Sequence, residues 1–112
     1  MTKNILIVED DILIGLDLVD QVEERGFTAL GPCATVDRAI KTLRNSHCDA
    51  AVLDVNLGDE TSADVAAKLR DMGVPFVVVS GYSLEQMPEG FGDAPRLTKP
   101  VNGRDLFALL AA

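Results

Sequence analysis

The chain has 112 residues, a formal net charge of −8 and a hydrophobic fraction of 47%. That length fits one folded domain, and the hydrophobic fraction excludes a disordered chain because it supplies enough apolar surface for a core. The acidic balance disfavours binding to nucleic acid or to an anionic membrane surface, and no apolar run approaches the roughly 20 residues of a membrane-spanning helix.

The first half of the chain alternates predicted strands with predicted helices. An apolar run at 5–8 predicts a buried strand, and apolar residues three or four apart then predict a helix that ends before Gly26. A less continuous run at 27–30 predicts an edge strand, and Thr35 is the predicted N-cap of a second helix. The apolar faces of these two helices consist of Ile12, Leu16, Val19 and Val22, and of Val36, Ala39, Ile40 and Leu43.

The second half continues this alternation. Apolar runs at 50–53 and 76–79 predict two further strands, and their continuity indicates burial on both faces, as in parallel sheets. The helix between them is predicted to be capped by Ser62 and to stop at Gly73. Its apolar face consists of Val65, Ala66, Leu69 and Met72.

The segment 83–95 departs from the alternation. Its prolines and glycines predict a short or irregular fourth helix. The weak run at 96–98 predicts a fifth strand, and the apolar residues within 106–110 predict a last helix capped by Asn102. Strands that alternate with helices predict one α/β domain over residues 1–112, with a doubly wound parallel sheet.

The residues that follow the predicted strands form the candidate site, because ligands bind beyond the carboxyl ends of strands in open parallel sheets. They are Glu9, Asp10 and Asp11 after the first strand, Asp54 after the third, Ser80 and Gly81 after the fourth, and Lys99 and Pro100 after the fifth. The three aspartates would repel one another unless a cation lay among them, and hard oxygen ligands suit Mg²⁺ or Mn²⁺. A carboxylate beside such a cation can attack a phosphoryl group, while an amine neutralises charge on the transferring oxygens.

Each of these groups also has an ordinary structural interpretation when it is taken alone. The pair Asp10–Asp11 fits a helix N-cap, Ser80–Gly81 fits a turn, and Lys99 fits a surface lysine. Their joint placement after successive strands favours a site over these separate roles. Asp59 and Glu60 are interpreted as part of a solvated loop.

In this order, the motifs Glu9-Asp10-Asp11, Asp54, Ser80-Gly81 and Lys99-Pro100 resemble the receiver domain of two-component response regulators over essentially the whole chain. The resemblance implies a flavodoxin-like (βα)₅ fold with strand order 2-1-3-4-5. It also implies a phosphorelay function, in which Asp54 accepts a phosphoryl group from a sensor histidine kinase or a histidine phosphotransfer protein. The phosphorylated form would switch binding to a downstream protein that the sequence does not identify.

The resemblance further implies how a metal would be held. Asp54 is the phosphoacceptor and a metal ligand, Asp11 is a direct ligand, and Asp10 acts mostly through metal-bound water. The main-chain carbonyl of Asn56, two residues beyond Asp54, completes the shell. The implied cation is Mg²⁺, with Mn²⁺ as an alternative.

The implied switch residues are Ser80, Gly81, Tyr82 and Arg96, with Ser80 and Lys99 also assigned to the catalytic set. Segments 55–58 and 75–82 partly match the FAT GUY subfamily of receivers. Arg96 stands three residues before Lys99, where most receivers have an aromatic residue. We therefore expect the signal to leave Asp54 by a different route, with Tyr82 as a candidate replacement for the aromatic.

Two other functions remain open from the sequence. A phosphatase with an aspartyl nucleophile usually has a second acid two residues later, where this chain has Asn56. A module that binds partners without phosphorylation would leave the acidic set unexplained. We expect a cytoplasmic protein, since there is no signal-peptide pattern, and one that catalyses only its own phosphorylation and dephosphorylation.

Overall fold

The computed structural model describes residues 3–81, 90–92 and 94–110, and it contains a five-stranded sheet flanked by helices. The strands are β1 (Asn4–Val8), β2 (Thr28–Cys33), β3 (Ala50–Asp54), β4 (Asn56–Leu57), β5 (Glu60–Thr61), β6 (Phe76–Ser80) and β7 (Arg96–Thr98). The described helices are α1 (Ile12–Glu24), α2 (Val36–Asn45), α3 (Ala63–Met72) and α4 (Gly103–Leu110).

The main sheet has the order β2-β1-β3-β6-β7, and all of its strand pairs are parallel. This arrangement confirms the predicted flavodoxin-like fold, because β6 and β7 are the fourth and fifth strands of the predicted order 2-1-3-4-5. The sequence did not predict β4 and β5. They form a separate antiparallel hairpin directly after β3.

Both faces of the sheet are buried, which explains the continuous apolar runs. In β1, Leu6 and Val8 belong to one hydrophobic cluster, whereas Ile5 and Ile7 belong to the other. Successive side chains of a strand point to opposite faces, so a strand that is covered twice must be apolar at every position. Helices α2 and α3 cover the first face, and α1 and α4 cover the second.

Three predicted helix-terminal residues have the expected conformation or contacts. The Thr35 hydroxyl accepts a hydrogen bond from the Arg38 N–H at 3.2 Å, and Asn102 Oδ1 accepts one from the Arg104 N–H at 2.8 Å. Gly73 ends α3 in the left-handed region with φ of 71°, which glycine adopts without steric cost.

Two predicted boundaries differ from the structure. Ser62 precedes α3 as predicted, but its side chain does not cap the first turn of that helix. The second strand extends beyond the predicted 27–30 to Cys33, because β1 lies beside it and pairs Val8 with Cys33 after a register shift. Pairing with a neighbouring strand here overrides weak local strand preference.

The residues described within 83–95 anchor this segment to the core. Phe91 is 1% exposed and packs in the same cluster as β3 and α3. The Arg70 guanidinium donates to the Gly90 carbonyl at 2.9 Å, and the Arg96 guanidinium donates to the Gly92 carbonyl at 2.9 Å. The rest of the predicted fourth-helix region, residues 83–89 and 93, lies outside the described residues.

No described helix has both the length and the apolar character needed to cross a membrane.

Replacing Phe91 with alanine should destabilise the fold strongly, although Phe91 lies in no helix or strand. Loss of a buried phenylalanine leaves a cavity and costs about 3–5 kcal/mol of unfolding free energy. Met72→Ala is the matched control, because Met72 is 41% exposed, and it should change that free energy by about 0.5 kcal/mol or less. Urea unfolding measures both, and equal effects would contradict the anchoring contact.

Candidate functional site

Three carboxylates meet at the carboxyl-terminal edge of the sheet. Single oxygens of Glu9, Asp10 and Asp54 all lie within 4.8 Å of one another. Glu9 and Asp54 are buried, at 2% and 6% exposure, whereas Asp10 is exposed. They converge because β1 and β3 are neighbours and run in the same direction, so the residues at their ends share one edge.

Lys99 supplies positive charge to this cluster. Its Nζ lies 2.8 Å from Glu9 Oε1 and 3.3 Å from Asp54 Oδ2. The Lys99 N–H donates to the Ser80 carbonyl at 2.9 Å, which fixes the lysine backbone against the end of β6. One ammonium group therefore contacts both buried carboxylates.

The electrostatics of the cluster follow from this burial. Desolvation, followed by the neighbouring Glu9 carboxyl, raises the pKa of Asp54 to about 7, although Lys99 acts in the opposite direction. Burial alone would lower the pKa of the Lys99 ammonium, but its contacts with Glu9 and Asp54 outweigh that effect and raise the pKa. The cluster thus has more negative charge than Lys99 can balance.

A divalent cation fits this set of donors. The carboxylates of Glu9, Asp10 and Asp54 offer only oxygen atoms, and the exposed side of Asp10 leaves room for water. Hard cations such as Mg²⁺ bind through one or two carboxylates and retain several water ligands. A cation here would also offset the repulsion between the two buried carboxylates.

Asp11, predicted as a direct metal ligand, caps a helix in the structure. Its Oδ1 accepts hydrogen bonds from the N–H groups of Leu13 at 3.0 Å and Ile14 at 3.2 Å, so Asp11 is the N-cap of α1. The capping role has a local cause, since α1 begins at Ile12 and the residue before a helix is the capping position. Among the described residues, Glu9 rather than Asp11 joins Asp10 and Asp54.

The other predicted site residues lie at the end of β6, in the β4–β5 hairpin and on the edge strand β7. Ser80 is buried at the end of β6, with Gly81 exposed directly after it. Asn56 is half-buried and begins β4, where it pairs with Thr61. Arg96 is exposed on β7 and has the contact with Gly92 described above. Tyr82 lies outside the described residues.

Sequence reasoning missed two contacts near the site. The Ser62 hydroxyl donates to the main-chain carbonyl of Asp54 at 2.6 Å. Glu60 Oε2 accepts a hydrogen bond from the Val36 N–H at 3.1 Å, so this side chain reaches the start of α2 rather than only solvent. No local pattern signals either contact, because the partners are 8 and 24 residues apart.

Known sequences similar to this chain include response regulator proteins. The family model for the response regulator receiver domain matches residues 5–111. The transcriptional regulatory protein PdtaR of Mycobacterium tuberculosis is 27% identical over 93% of this chain and 53% of that protein. The chain thus spans about half the length of the curated relatives it matches.

Solved structures show the same fold. SdrG from Sphingomonas melonis Fr1 is 37% identical, with a TM-score of 0.83 over 99% of this chain and 98% of SdrG. A Burkholderia pseudomallei response regulator with a phosphorylated aspartic acid, a calcium ion and citrate is 24% identical, with a TM-score of 0.86 over 96% of this chain and 66% of that chain. TrrA from Thermotoga maritima, in complex with Mg²⁺ and BeF, is 21% identical, with a TM-score of 0.81 over 96% and 95%.

The raised pKa of Asp54 predicts a pH-dependent stability in Mg²⁺-free buffer. The native state binds the Asp54 proton more tightly than the unfolded chain, where the pKa is about 3.9. The stabilising contribution of this proton is therefore complete below about pH 4 and is lost as the pH rises through about 7. The amide of Asp54→Asn does not titrate. This variant should therefore have a higher free energy of unfolding in urea than the parent chain at pH 8, and the difference should be smaller at pH 5.

The control for that comparison is Asp20→Asn, which removes the same charge from an exposed position on α1. It should show no such pH-dependent gain. A gain for Asp54→Asn that is the same at pH 5 and pH 8 would contradict the raised pKa.

Proposed function

The chain belongs to the response regulator receiver domain family, and from this premise we propose that it accepts a phosphoryl group on Asp54 from a phosphohistidine. The donor is a sensor histidine kinase or a histidine phosphotransfer protein. The observation that carries the proposal is the buried Asp54 carboxylate, which lies beside Glu9 and Asp10 and 3.3 Å from the Lys99 ammonium. The arrangement suits phosphoryl transfer to a carboxylate, because a lysine beside the nucleophile stabilises charge on the transferring oxygens.

The transfer exchanges one bond to phosphorus for another. A carboxylate oxygen of Asp54 attacks the phosphorus atom and forms an acyl phosphate, while the bond between phosphorus and the donor imidazole nitrogen breaks. The electron pair of that bond returns to the imidazole. Asp54 must be ionised to attack, and the Lys99 ammonium favours that form because it lies within ion-pair distance.

Phosphorylation would also offer the Lys99 ammonium a new partner in place of Glu9. Its Nζ contacts Glu9 Oε1 at 2.8 Å in the unphosphorylated chain. Once Asp54 carries a phosphoryl group, the new oxygens offer the same ammonium a more highly charged partner. A shift of Lys99 towards them would pull on Ser80, whose carbonyl accepts the Lys99 N–H.

We propose Mg²⁺ as the cofactor, held by the carboxylates of Glu9, Asp10 and Asp54 and by the main-chain carbonyl of Asn56. The oxygen-only cluster supports this assignment. TrrA was solved with Mg²⁺ and BeF, and the Burkholderia protein was solved with calcium. When bound, the cation neutralises negative charge on the phosphoryl oxygens.

We further propose a cytoplasmic switch that catalyses only its own phosphorylation and dephosphorylation. Asn56 stands where an aspartyl phosphatase has its second acid, and an amide cannot act as a general acid or base. The partial match at 55–58 and 75–82 supports assignment to the FAT GUY subfamily. The signal to a downstream protein would then pass through Ser80 and Gly81 at the end of β6. An aromatic residue would take no part at the position that Arg96 occupies.

Small phosphodonors test the central step. Acetyl phosphate with Mg²⁺ should add one phosphoryl group to the chain, as measured by intact-protein mass, and Asp54→Asn should abolish this gain because it removes the nucleophile. Asp20→Asn, an exposed acid on α1, should be modified at the parental rate. Modification of Asp54→Asn at that rate would refute Asp54 as the acceptor.

Metal binding tests the division of roles at the start of α1. Asp10→Asn should weaken Mg²⁺ binding by about 10-fold or more, because even an outer partner of a metal ligand typically contributes that much. Asp11→Asn should leave the affinity unchanged, since asparagine caps helices as well as aspartate does. Calorimetric titration measures both, and a larger loss for Asp11→Asn would identify Asp11 rather than Asp10 as the direct ligand.

A further inference from the structure

Ser62 is a fully buried serine that holds the end of β3. Its hydroxyl donates to the Asp54 carbonyl at 2.6 Å, and its N–H donates to the Val55 carbonyl at 2.9 Å. Its relative exposure is 0%. One residue therefore binds two consecutive carbonyls, the first of which belongs to the proposed phosphoacceptor.

The bond is not the usual one for a serine at this position. A serine that precedes a helix normally accepts a hydrogen bond from an N–H of the first turn. The Ser62 side chain does not cap α3 in this way, although its carbonyl accepts the Ala66 N–H at 3.0 Å. The hydroxyl proton is instead directed back across the hairpin to Asp54.

The sheet explains why Asp54 needs such a partner. The pairing of β1 with β3 ends with Val8 opposite Leu53, one residue before Asp54. On the other side, Asp54 pairs with Val79 in β6, and the Val55 N–H donates to the Val79 carbonyl at 3.1 Å. Ser62 thus supplies a hydrogen bond at the point where the ladder to β1 has stopped.

The same contact closes the segment that carries Asn56. Residues 55–61 leave β3, form the β4–β5 hairpin and return to Ser62, and Leu57 is buried within this segment. The two hydrogen bonds of Ser62 join the end of this segment to its beginning. They therefore restrain the Asp54 carbonyl relative to the start of β4. Glu60 adds a third attachment through the Val36 N–H.

We propose that Ser62 is a positioning residue for phosphoryl transfer, which keeps the Asp54 carboxylate aligned with Glu9, Asp10 and Lys99. The inference rests on the proposed function of Asp54. The alternative is a purely structural hydrogen bond that stabilises the fold and leaves the reactivity of Asp54 unaltered. Misplacement of a reacting group by about 1 Å can cost about 100-fold in rate, so the two roles differ measurably.

The test compares Ser62→Ala with Thr42→Val. Thr42, on α2, also donates its hydroxyl to a carbonyl, that of Arg38 at 2.9 Å, and neither Arg38 nor its other partner Cys33 belongs to the acidic cluster. The rate of acetyl phosphate labelling is measured at saturating Mg²⁺, under conditions where urea unfolding shows each variant to be folded. Ser62→Ala should be slower by about 10-fold or more, whereas Thr42→Val should keep the parental rate.

Two further readouts locate the effect. The ¹³C chemical shift of the Asp54 main-chain carbonyl should change in Ser62→Ala, which shows that the hydrogen bond is lost, and the shift of the Asp54 side-chain carboxylate should change with it only if Ser62 positions that group. Ser62→Thr, which keeps the hydroxyl, should recover labelling per folded molecule relative to Ser62→Ala.

The outcomes are distinguishable. If the parent chain itself is not labelled at Asp54, the proposed function fails. If the parent chain is labelled and folded Ser62→Ala matches its rate, only the positioning role is overturned. Should Ser62→Ala not fold, Ser62→Gly removes the same hydroxyl donor, and a parental rate in that folded variant would overturn the inference equally.

Discussion

The burial of two like charges at one edge of the sheet is the constraint on which this site depends. Glu9 and Asp54 are almost inaccessible to solvent, and Lys99 contacts both of them. Charges buried in this way are costly unless they are paired. The apolar layers on both faces of the sheet provide the stability that permits this arrangement, and the resulting charge imbalance is the physical basis of the proposed cation binding and phosphoryl transfer.

Much of this arrangement could be predicted because it follows from strand periodicity. Continuous apolar runs identified the buried strands, and their ends identified Asp54, Ser80 and Lys99 as residues of one edge. The spatial order of the strands came only from the resemblance to receiver domains. Hydrophobic pattern shows that a strand is covered on both faces, but it does not show which strand lies beside it.

The features that the sequence did not predict have a common physical origin, because they depend on contacts that local pattern does not encode. Asp11 and Glu9 are both acids beside the end of β1, and the exact start of α1 decides which of them caps the helix. Ser62 and Glu60 act on partners far along the chain. Phe91 is a single apolar residue between glycines, so no periodic pattern predicts its burial.

The two outer strands of the sheet have a consequence for association between copies of the chain. An exposed edge of unpaired N–H and C=O groups invites strand addition and aggregation. Pro32 interrupts β2 with a residue that has no N–H to donate, and β7 is only three residues long and begins with the exposed Arg96. Both edge strands thus disfavour the pairing of sheets from different copies into fibrils. Association through helices and loops is thereby favoured over the addition of strands to the sheet.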